Sequence, residues 1–393
     1  MDVSDAFEKL KRLSAAARYE PAEEIGPGGE CTAHPRMATS DLGKMIQYAT
    51  LPGGKRVPML KTLLTSACER NCRYCPFSAE RDFRRTTFLP DELSAIFDQL
   101  YRAGLVQGIF LSSGLAGGGQ RIQDRLIQTA EILRTRYRFA GYMHLKLMPG
   151  AEFAQVERAM QLADRVSVNL EAPTSEVLAR MAPRKQLLEE LLQPMGYVEQ
   201  IRRVRGGQPG TWSNPYRSGP SQTTQFVVGP GGETDRELLR TTDYLRRTVN
   251  LARAYFSAFK PVPGTPFQDQ PPVSALRERR LYQGDFLLRD YGFRANELIF
   301  DDDGNLSREE DPKLAWARCH LTHAPVEINR AERHDLLRVP GIGPVGVARI
   351  LRARRLGRLR EIGDLRKIGV LAERAAPFIL MDGRRPVHQL RFW

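Results

Sequence analysis

The sequence predicts an α/β protein, an open, partial (β/α) barrel followed by a C-terminal all-α domain. Two observations carry this reading. Six short apolar runs of strand character alternate with helix-like segments at roughly 25–55 residue spacing, the pattern of parallel βαβ units, and six units are too few to close an eight-stranded barrel. Beyond residue 260 the alternation stops, and basic helical segments broken by glycine turns follow.

The elements justify this in chain order. Residues 1–55 form an N-terminal extension. Asp5–Ala17 has helical apolar spacing, Gly26-Pro27-Gly28-Gly29 breaks it, and Asp41–Ala49 reads as a second, weak helix before Leu51-Pro52-Gly53-Gly54. Residues 56–275 form the barrel. Its strands are expected at Met59–Thr65, Gly108–Ser112, Tyr142–Leu147, Arg165–Glu171, Thr224–Gly229 and Arg253–Phe259. Helices are expected at Pro90–Ala103, Ile122–Thr135, Ala151–Ala163 and Glu233–Val249. Between the fourth and fifth strands, Arg202–Gln222 reads as a long loop with Arg202, Arg203, Arg205, Trp212 and Tyr216, a surface insertion or a base-stacking, phosphate-holding segment. Pro261–Pro272 leads out of the barrel. Residues 276–330 form a helical connector that begins with an amphipathic helix, Leu276–Tyr291, and holds an acidic turn, Asp301-Asp302-Asp303-Gly304. That turn starts like a calcium loop, but Pro312 stands where such a loop needs a glutamate. Residues 331–393 form the last domain.

Composition narrows the class. Of 393 residues, 41% are hydrophobic and 27% charged, ordinary for a globular protein. No run approaches the ~20 apolar residues that span a bilayer, and Met1–Leu13 lacks the apolar core of a signal peptide, so a cytoplasmic protein without a membrane partner is expected. Five cysteines, three of them within eight residues, point to a metal site in a reducing compartment and not to a disulfide framework. The formal net charge is +13, and residues 333–393 hold 14 Arg or Lys against 5 Asp or Glu, a net of +9. Basic charge so concentrated suits a polyanion.

The strongest motif is Cys68-Glu-Arg-Asn-Cys72-Arg-Tyr-Cys75, directly after the first strand. Thiolates suit iron–sulfur clusters, and three of them leave one iron of a [4Fe–4S] cluster open to a chelating ligand. A zinc knuckle would need a fourth Cys or His, and no second close pair follows within forty residues. The CxxxCxxC spacing, with an aromatic residue, Tyr74, before the last cysteine, resembles radical S-adenosylmethionine (SAM) enzymes. The resemblance implies that SAM chelates the open iron and is cleaved reductively to methionine and a 5′-deoxyadenosyl radical that takes hydrogen from substrate. It also implies candidate SAM contacts: Ser112-Ser113-Gly114 after the second strand, followed by Gly117-Gly118-Gly119, then Lys146 ending the third strand, and Asn169 and Glu171 ending the fourth. His144 is a candidate substrate contact or a structural histidine. Cys31 and Cys319 carry no assigned role; Cys319, near His320 and His323, is a weak candidate for a hydrogen-donor thiol.

The second motif is Asp335-Leu-Leu-Arg-Val-Pro340-Gly341-Ile342-Gly343-Pro344. A helix ends, a Gly-Ile-Gly turn follows, and Pro344 opens a new helix at its first position, where the missing N–H costs nothing. Glycines let backbone N–H groups approach a phosphate, and the helix N-terminus adds partial positive charge. The candidate contacts are Gly341, Ile342, Gly343, Val345, Gly346, Arg349 and Arg352. The motif resembles the helix-hairpin-helix of DNA repair and recombination proteins, and Leu359–Leu380, with its Ile368-Gly369-Val370 turn, resembles a degenerate second copy. A packing or dimerisation module is the alternative.

The two motifs together resemble one small family of radical SAM proteins named for DNA modification or repair and linked to a uracil-DNA-glycosylase-like partner. Leu111–Gly114, Gly141–Lys146 with Pro149-Gly150, Ser167–Glu171, Tyr255–Phe259, Arg280–Gln283, Leu314–Trp316 and Val326–Arg330 carry the resemblance. It implies a DNA substrate and an electron donor such as flavodoxin or ferredoxin, and it leaves the reaction open. An RNA-modifying radical SAM enzyme and a non-enzymatic iron–sulfur DNA-binding redox sensor are the alternatives.

Overall fold

A computed structural model describes residues 3–17, 45–50, 56–204 and 219–387. Two compact units divide the chain: Met1–Glu233 with Leu245–Val273, and Thr234–Tyr244 with Ser274–Trp393.

In the first unit, β1 (Ile46–Thr50) lies antiparallel to β2 (Arg56–Leu63). Five more strands follow in strictly sequential, parallel order: β3 (Gly108–Ser112), β4 (Tyr142–Lys146), β5 (Arg165–Ser167), β6 (Ser221–Val228) and β7 (Arg253–Ala258). Six parallel strands and one antiparallel edge strand make the expected partial barrel. The crossovers include α2 (Pro90–Arg102), α3 (Gly119–Thr135) and α4 (Phe153–Leu162). An N-terminal helix, α1 (Val3–Ala16), is tied to α2 by Lys9–Glu92 at 3.2 Å. Along β3 and β4, Ile109, Leu111, Met143 and Leu145 alternate with Phe110, Ser112, His144 and Lys146. The inner face thus changes from an apolar plug of Val57, Met59, Phe110 and Tyr142 to a polar surface toward the strands' C-terminal ends.

Three expectations need correction. The weak helix at 41–49 is a strand over its described part: Ile46 and Tyr48 share one face of the pleat with Gln47 on the other, too short a pattern to outweigh helical spacing. The fourth strand stops at Ser167 because the Thr224 hydroxyl binds Val168 O (2.7 Å) and Leu170 N (3.3 Å) in place of ladder bonds, and Glu171 takes a left-handed backbone (φ 65°). Arg202 and Arg203 are not loop residues. Among the described residues two α-helices lie between β5 and β6, α5 (Ser175–Met181) and α6 (Gln193–Val204), the second entered through a π-helical stretch, Leu187–Leu192, and both arginines pair with Glu199. Arg205, Trp212, Tyr216 and Cys31 lie outside the described residues.

The second unit is mainly helical. It holds α8 (Ala275–Asp290), α9 (Pro312–His320), α10 (Arg333–Arg338), α11 (Pro344–Leu356), α12 (Ile362–Lys367) and α13 (Ala372–Ala375); α7 (Asp235–Thr248) spans the division between the units. Ala317, Leu321 and Ile328 share one core with Leu336, Ile342, Val347, Ile350, Leu365 and Ile379. Connector and hairpin segments therefore fold together. A two-residue parallel pairing, Val326–Glu327 with Ile379–Leu380, closes this unit. Asp301–Gly304 forms a turn in which Gly304 N donates to Asp301 O.

Candidate functional site

Cys68, Cys72 and Cys75 lie on the loop after β2, at the C-terminal end of the sheet, and all three are free thiols. Backbone bonds hold the loop: Glu69 N to Leu115 O (2.6 Å), Arg73 N to Met181 O (2.8 Å) and Ala79 N to Arg70 O (2.8 Å). The Arg85 guanidinium binds the carbonyls of Ser66, Phe77, Ser78 and Arg81. Phe77 N donates to Cys75 Sγ at 3.4 Å, so a thiol of the triad is already a hydrogen-bond acceptor. Burial pushes the Cys75 thiol well up, and nearby Cys72 and Cys68 push it further. Burial also raises Cys72, with Lys185 opposing. Among the described residues no three His, Cys, Asp or Glu side chains converge on a single ion.

A loop and helix start 110 residues downstream close over the cysteines. Arg70 pairs with Glu190 at 2.5 Å and also donates to Arg184 O, while Arg184 donates to Glu69 O at 3.3 Å. Lys185 Nζ lies 3.0 Å from Glu171 Oε1, with the two side chains 10% and 8% exposed. The Tyr74 phenol acts on the same carboxylate. Burial opposes ionisation of Glu171, but Lys185, Lys146 and Tyr74 hold its carboxyl below the usual range.

The other sequence candidates fall around this loop. Ser112 is fully buried at the end of β3. Ser113 Oγ and Asn71 Oδ1 are buried with no hydrogen-bond partner among the described residues. Gly114 N donates to Thr65 O at 2.7 Å, and a Cβ on Gly114 would collide with Ala67 O, beside Cys68. The N–H groups of Gly117 and Gly118 bind Glu69 Oε2 at 3.1 and 3.2 Å, so these glycines anchor the cysteine loop. Lys146 is buried, and Asn169 Nδ2 donates to Gln225 Oε1 at 3.1 Å. His144 lies deeper, its Nε2 2.9 Å from Ser167 Oγ, beside a cavity of about 10 Å³ bordered by Thr223, Gln225 and Tyr255. Burial, helped by Arg165, Lys146 and Lys61, holds its imidazole well below the usual value and therefore neutral. Cys319 is exposed, outside the barrel unit.

Three soft thiolates, an N–H···S bond and orphaned polar atoms beside them fit a [4Fe–4S] cluster with a polar ligand. Lys185, Arg70, Arg184 and Asn71 are parts of this site that the sequence pattern does not announce.

In the second unit the first hairpin joins α10 to α11. Gly341 has φ +81°, and a Cβ there would strike Leu371 O, so only glycine fits this turn. Gly343 is the residue before α11, which has Pro344 in its first turn and no side-chain cap, so among the described residues the helix start is uncapped by its N-cap residue. Ile342 sits in the core, its N–H bound to Val339 O and its carbonyl accepting from buried Lys313 Nζ at 2.6 Å. Ile342 thus shapes the turn from within. Arg349 donates to Ile368 O in the second turn, where Gly369 has φ +73°; Arg352 and Arg355 are exposed.

An open six-stranded parallel barrel with a tricysteine loop at its C-terminal mouth defines the class. Residues 62–245 match the Radical SAM superfamily, and this part of the chain is a radical SAM domain, the catalytic core of radical SAM enzymes, whose cofactors are a [4Fe–4S] cluster and SAM. The tRNA-2-methylthio-N(6)-dimethylallyladenosine synthase of Lachnoclostridium phytofermentans is 22% identical over 270 residues, 64% of this chain and 54% of the relative. The threonylcarbamoyladenosine tRNA methylthiotransferase MtaB of Thermotoga maritima is 22% identical over 222 residues, 54% of this chain and 46% of the relative. The chain spans about half the length of these two curated relatives. Among solved structures, methylornithine synthase (PylB) aligns at TM-score 0.46 and 12% identity, covering 73% of this chain and 72% of that one. The [FeFe]-hydrogenase maturase HydG of Carboxydothermus hydrogenoformans aligns at TM-score 0.45 and 14% identity, covering 59% and 51%. No helix among the described residues is long and apolar enough to cross a membrane.

Proposed function

We propose that the protein is a radical SAM enzyme that modifies or repairs DNA, with the C-terminal unit gripping the phosphate backbone through paired helix-hairpin-helix turns. The observation that carries the DNA-binding half is the uncapped start of α11 behind a glycine turn, in a segment with a net charge of +9. N–H donors and a helix N-terminus favour phosphate without reading sequence. In the barrel unit, Cys68, Cys72 and Cys75 hold the cluster, and Ser113 and Asn71 offer hydrogen bonds to SAM. When bound, SAM at the reduced cluster supplies a radical able to take hydrogen from an unactivated C–H bond. Glu171, Lys185 and Tyr74 fix the loop and exclude water from it. A flavodoxin or ferredoxin supplies the electron, a uracil-DNA-glycosylase-like protein is a candidate partner, and the cytoplasm keeps the thiols reduced.

A second reading is RNA modification, favoured by the tRNA-modifying names of the curated relatives. One experiment separates the readings. The full chain is reconstituted and reduced without oxygen, given SAM with intact duplex DNA, damaged duplex or tRNA, and assayed for 5′-deoxyadenosine and nucleoside mass changes. The DNA reading expects duplex DNA to stimulate SAM cleavage and to change mass. Stimulation by tRNA alone selects the second reading, and no 5′-deoxyadenosine under any condition removes both.

A further inference from the structure

The barrel interior holds a polar site apart from the cysteine loop. Phe110, His144, Ser167, Thr223, Gln225 and Tyr255 border a cavity of about 10 Å³ within the sheet of the first unit. His144 stands two residues before Lys146, the end of β4, so the cavity lies roughly 7 Å inside the C-terminal edge of the sheet. His144 is 2% exposed and Thr223 fully buried. One atom of each, His144 Nδ1 and Thr223 Oγ1, is buried without a hydrogen-bond partner among the described residues. Side chains that merely fill a barrel are mostly apolar, and buried polar atoms in a finished core are paired. Two orphaned atoms on residues that border one cavity require a guest that pairs with them.

The polarity of that guest follows from the histidine. Its ring meets Phe110 edge to face, centroids 4.7 Å apart at 73°, and Nε2 lies 2.9 Å from Ser167 Oγ. Among the described residues this is the one hydrogen bond of Ser167 Oγ, so the hydroxyl proton is satisfied only by donation to Nε2. Burial keeps the ring neutral, and a neutral ring that accepts at Nε2 carries its hydrogen on Nδ1. The Nδ1–H group and the Thr223 hydroxyl are then two donors at the cavity. Two acceptors there are already engaged: Gln225 Oε1 receives Asn169 Nδ2 at 3.1 Å, and the Thr224 hydroxyl oxygen receives Leu170 N at 3.3 Å. A space of about 10 Å³ is the size of one water. The guest therefore enters with a single projecting acceptor atom, and a carboxylate or phosphate group is too large.

We propose that His144 and Thr223 receive the exocyclic carbonyl oxygen of a nucleobase drawn into the barrel, where it displaces a water, and that Ser167 positions His144 for this contact. The proposal rests on the nucleic-acid reading and adds a preference to it. Thymine, uracil and guanine project such an oxygen, whereas adenine projects an amino donor. Enzymes that act on bases take them out of the stack and read them by contacts of this kind.

The test reads binding and the histidine tautomer, not turnover. Full-length wild-type, Thr223→Val, Thr223→Ser, His144→Phe and Ser167→Ala chains are reconstituted without oxygen and checked for iron content and thermal midpoint. Each is titrated at one salt concentration with DNA oligonucleotides of thymine or adenine alone and RNA oligonucleotides of uracil or adenine alone, all of one length. Phosphate contacts then cancel in the ratio of the two Kd values on a given backbone. Thr223→Val and His144→Phe are expected to weaken binding of the carbonyl-bearing oligonucleotide about fivefold to tenfold and to leave the adenine one unchanged, while Thr223→Ser keeps the wild-type ratio. Nitrogen-15 NMR of histidine-labelled wild type is expected to place the His144 hydrogen on Nδ1. Should Thr223→Val or His144→Phe fail to fold, that tautomer and Ser167→Ala, expected to lower the ratio part-way, decide the matter. An unchanged ratio in folded variants overturns the proposal, as do equal losses on both oligonucleotides or a His144 hydrogen fixed on Nε2. Loss of the ratio in Thr223→Ser as well as Thr223→Val also overturns it, because packing and not the hydroxyl would then set the preference. If the wild-type chain binds none of the four oligonucleotides, it is the nucleic-acid reading that falls.

Discussion

Gly114 shows how a residue without functional atoms can control the shape of the cysteine loop. Its Cβ position is already taken by the carbonyl of Ala67, and Ala67 carries the chain into Cys68. Gly114→Ala has to push that carbonyl aside, and the displacement passes directly to Cys68. Packing this tight resists even one added carbon, at a cost of roughly 1–3 kcal/mol. The expected outcome is a fall in iron bound per chain to half or less, measured after anaerobic reconstitution. Ser113→Ala serves as the contrast. Its hydroxyl is buried without a partner among the described residues, so removing it leaves iron content intact. If that hydroxyl meets SAM, its loss weakens SAM binding about tenfold, in line with roughly 1–1.5 kcal/mol for a hydrogen bond. Equal iron loading in Gly114→Ala and wild type would show that the loop moves freely around Ala67.

Among the elements, the β-strands of the barrel were legible because most hold short apolar runs inside a sheet, and burial writes itself into composition. The cysteine spacing was legible for a similar local reason, since all three cysteines lie within one loop. Lys185 was not: it pairs with Glu171 and lies 110 residues along the chain from the last of the three cysteines, and no local pattern separates it from a surface lysine. The left-handed backbone at Glu171 and the Thr224 hydroxyl that ends β5 are tertiary features of the same kind. In the helical unit the hairpin turn was visible in Gly341-Ile342-Gly343, but its support, Lys313 on α9, was not. Lys313 is buried, lies 4.5 Å from the Tyr291 ring centre and donates to Ile342 O. Burial pulls its amine down to about 7, with Asp311 opposing and Arg374 and Arg338 adding. Because the folded value lies below the ordinary lysine value of about 10.4, the unfolded chain binds more protons between pH 7 and 10, and this group makes stability rise with pH across that window. Below pH 7 both states are protonated and its contribution is flat. Lys313→Met should abolish that rise. Denaturant unfolding at pH 6, 7, 8 and 9 should show the wild-type midpoint gaining on the variant only above pH 7, and parallel curves would show that the amine is not burdened by burial.

At the level of the whole molecule, the distribution of charge is a stronger guide to the partner than its total. Residues 333–393 carry +9 of the net +13, so the remaining 332 residues carry only +4. A protein basic merely for solubility has no reason to gather its charge on the segment that also holds two glycine turns and an uncapped helix start. Electrostatic binding of this kind has a thermodynamic signature. Each phosphate neutralised releases condensed counterions, and log K falls against log salt with a slope of about −0.9 per phosphate on duplex DNA, or about −0.7 on single strands. If the hairpins and the exposed Arg352 and Arg355 on α11 engage about four phosphates, the slope on duplex DNA lies near −3.6. Replacing both arginines by alanine should shrink it by about 2 while weakening binding evenly across sequences, as expected of contacts that position without reading bases. The measurement is a fluorescence-anisotropy titration between 50 and 300 mM salt on duplexes of unrelated sequence. A slope near zero would strip the basic segment of its assigned partner. A slope that the double variant leaves untouched would move the grip to other surfaces of the chain.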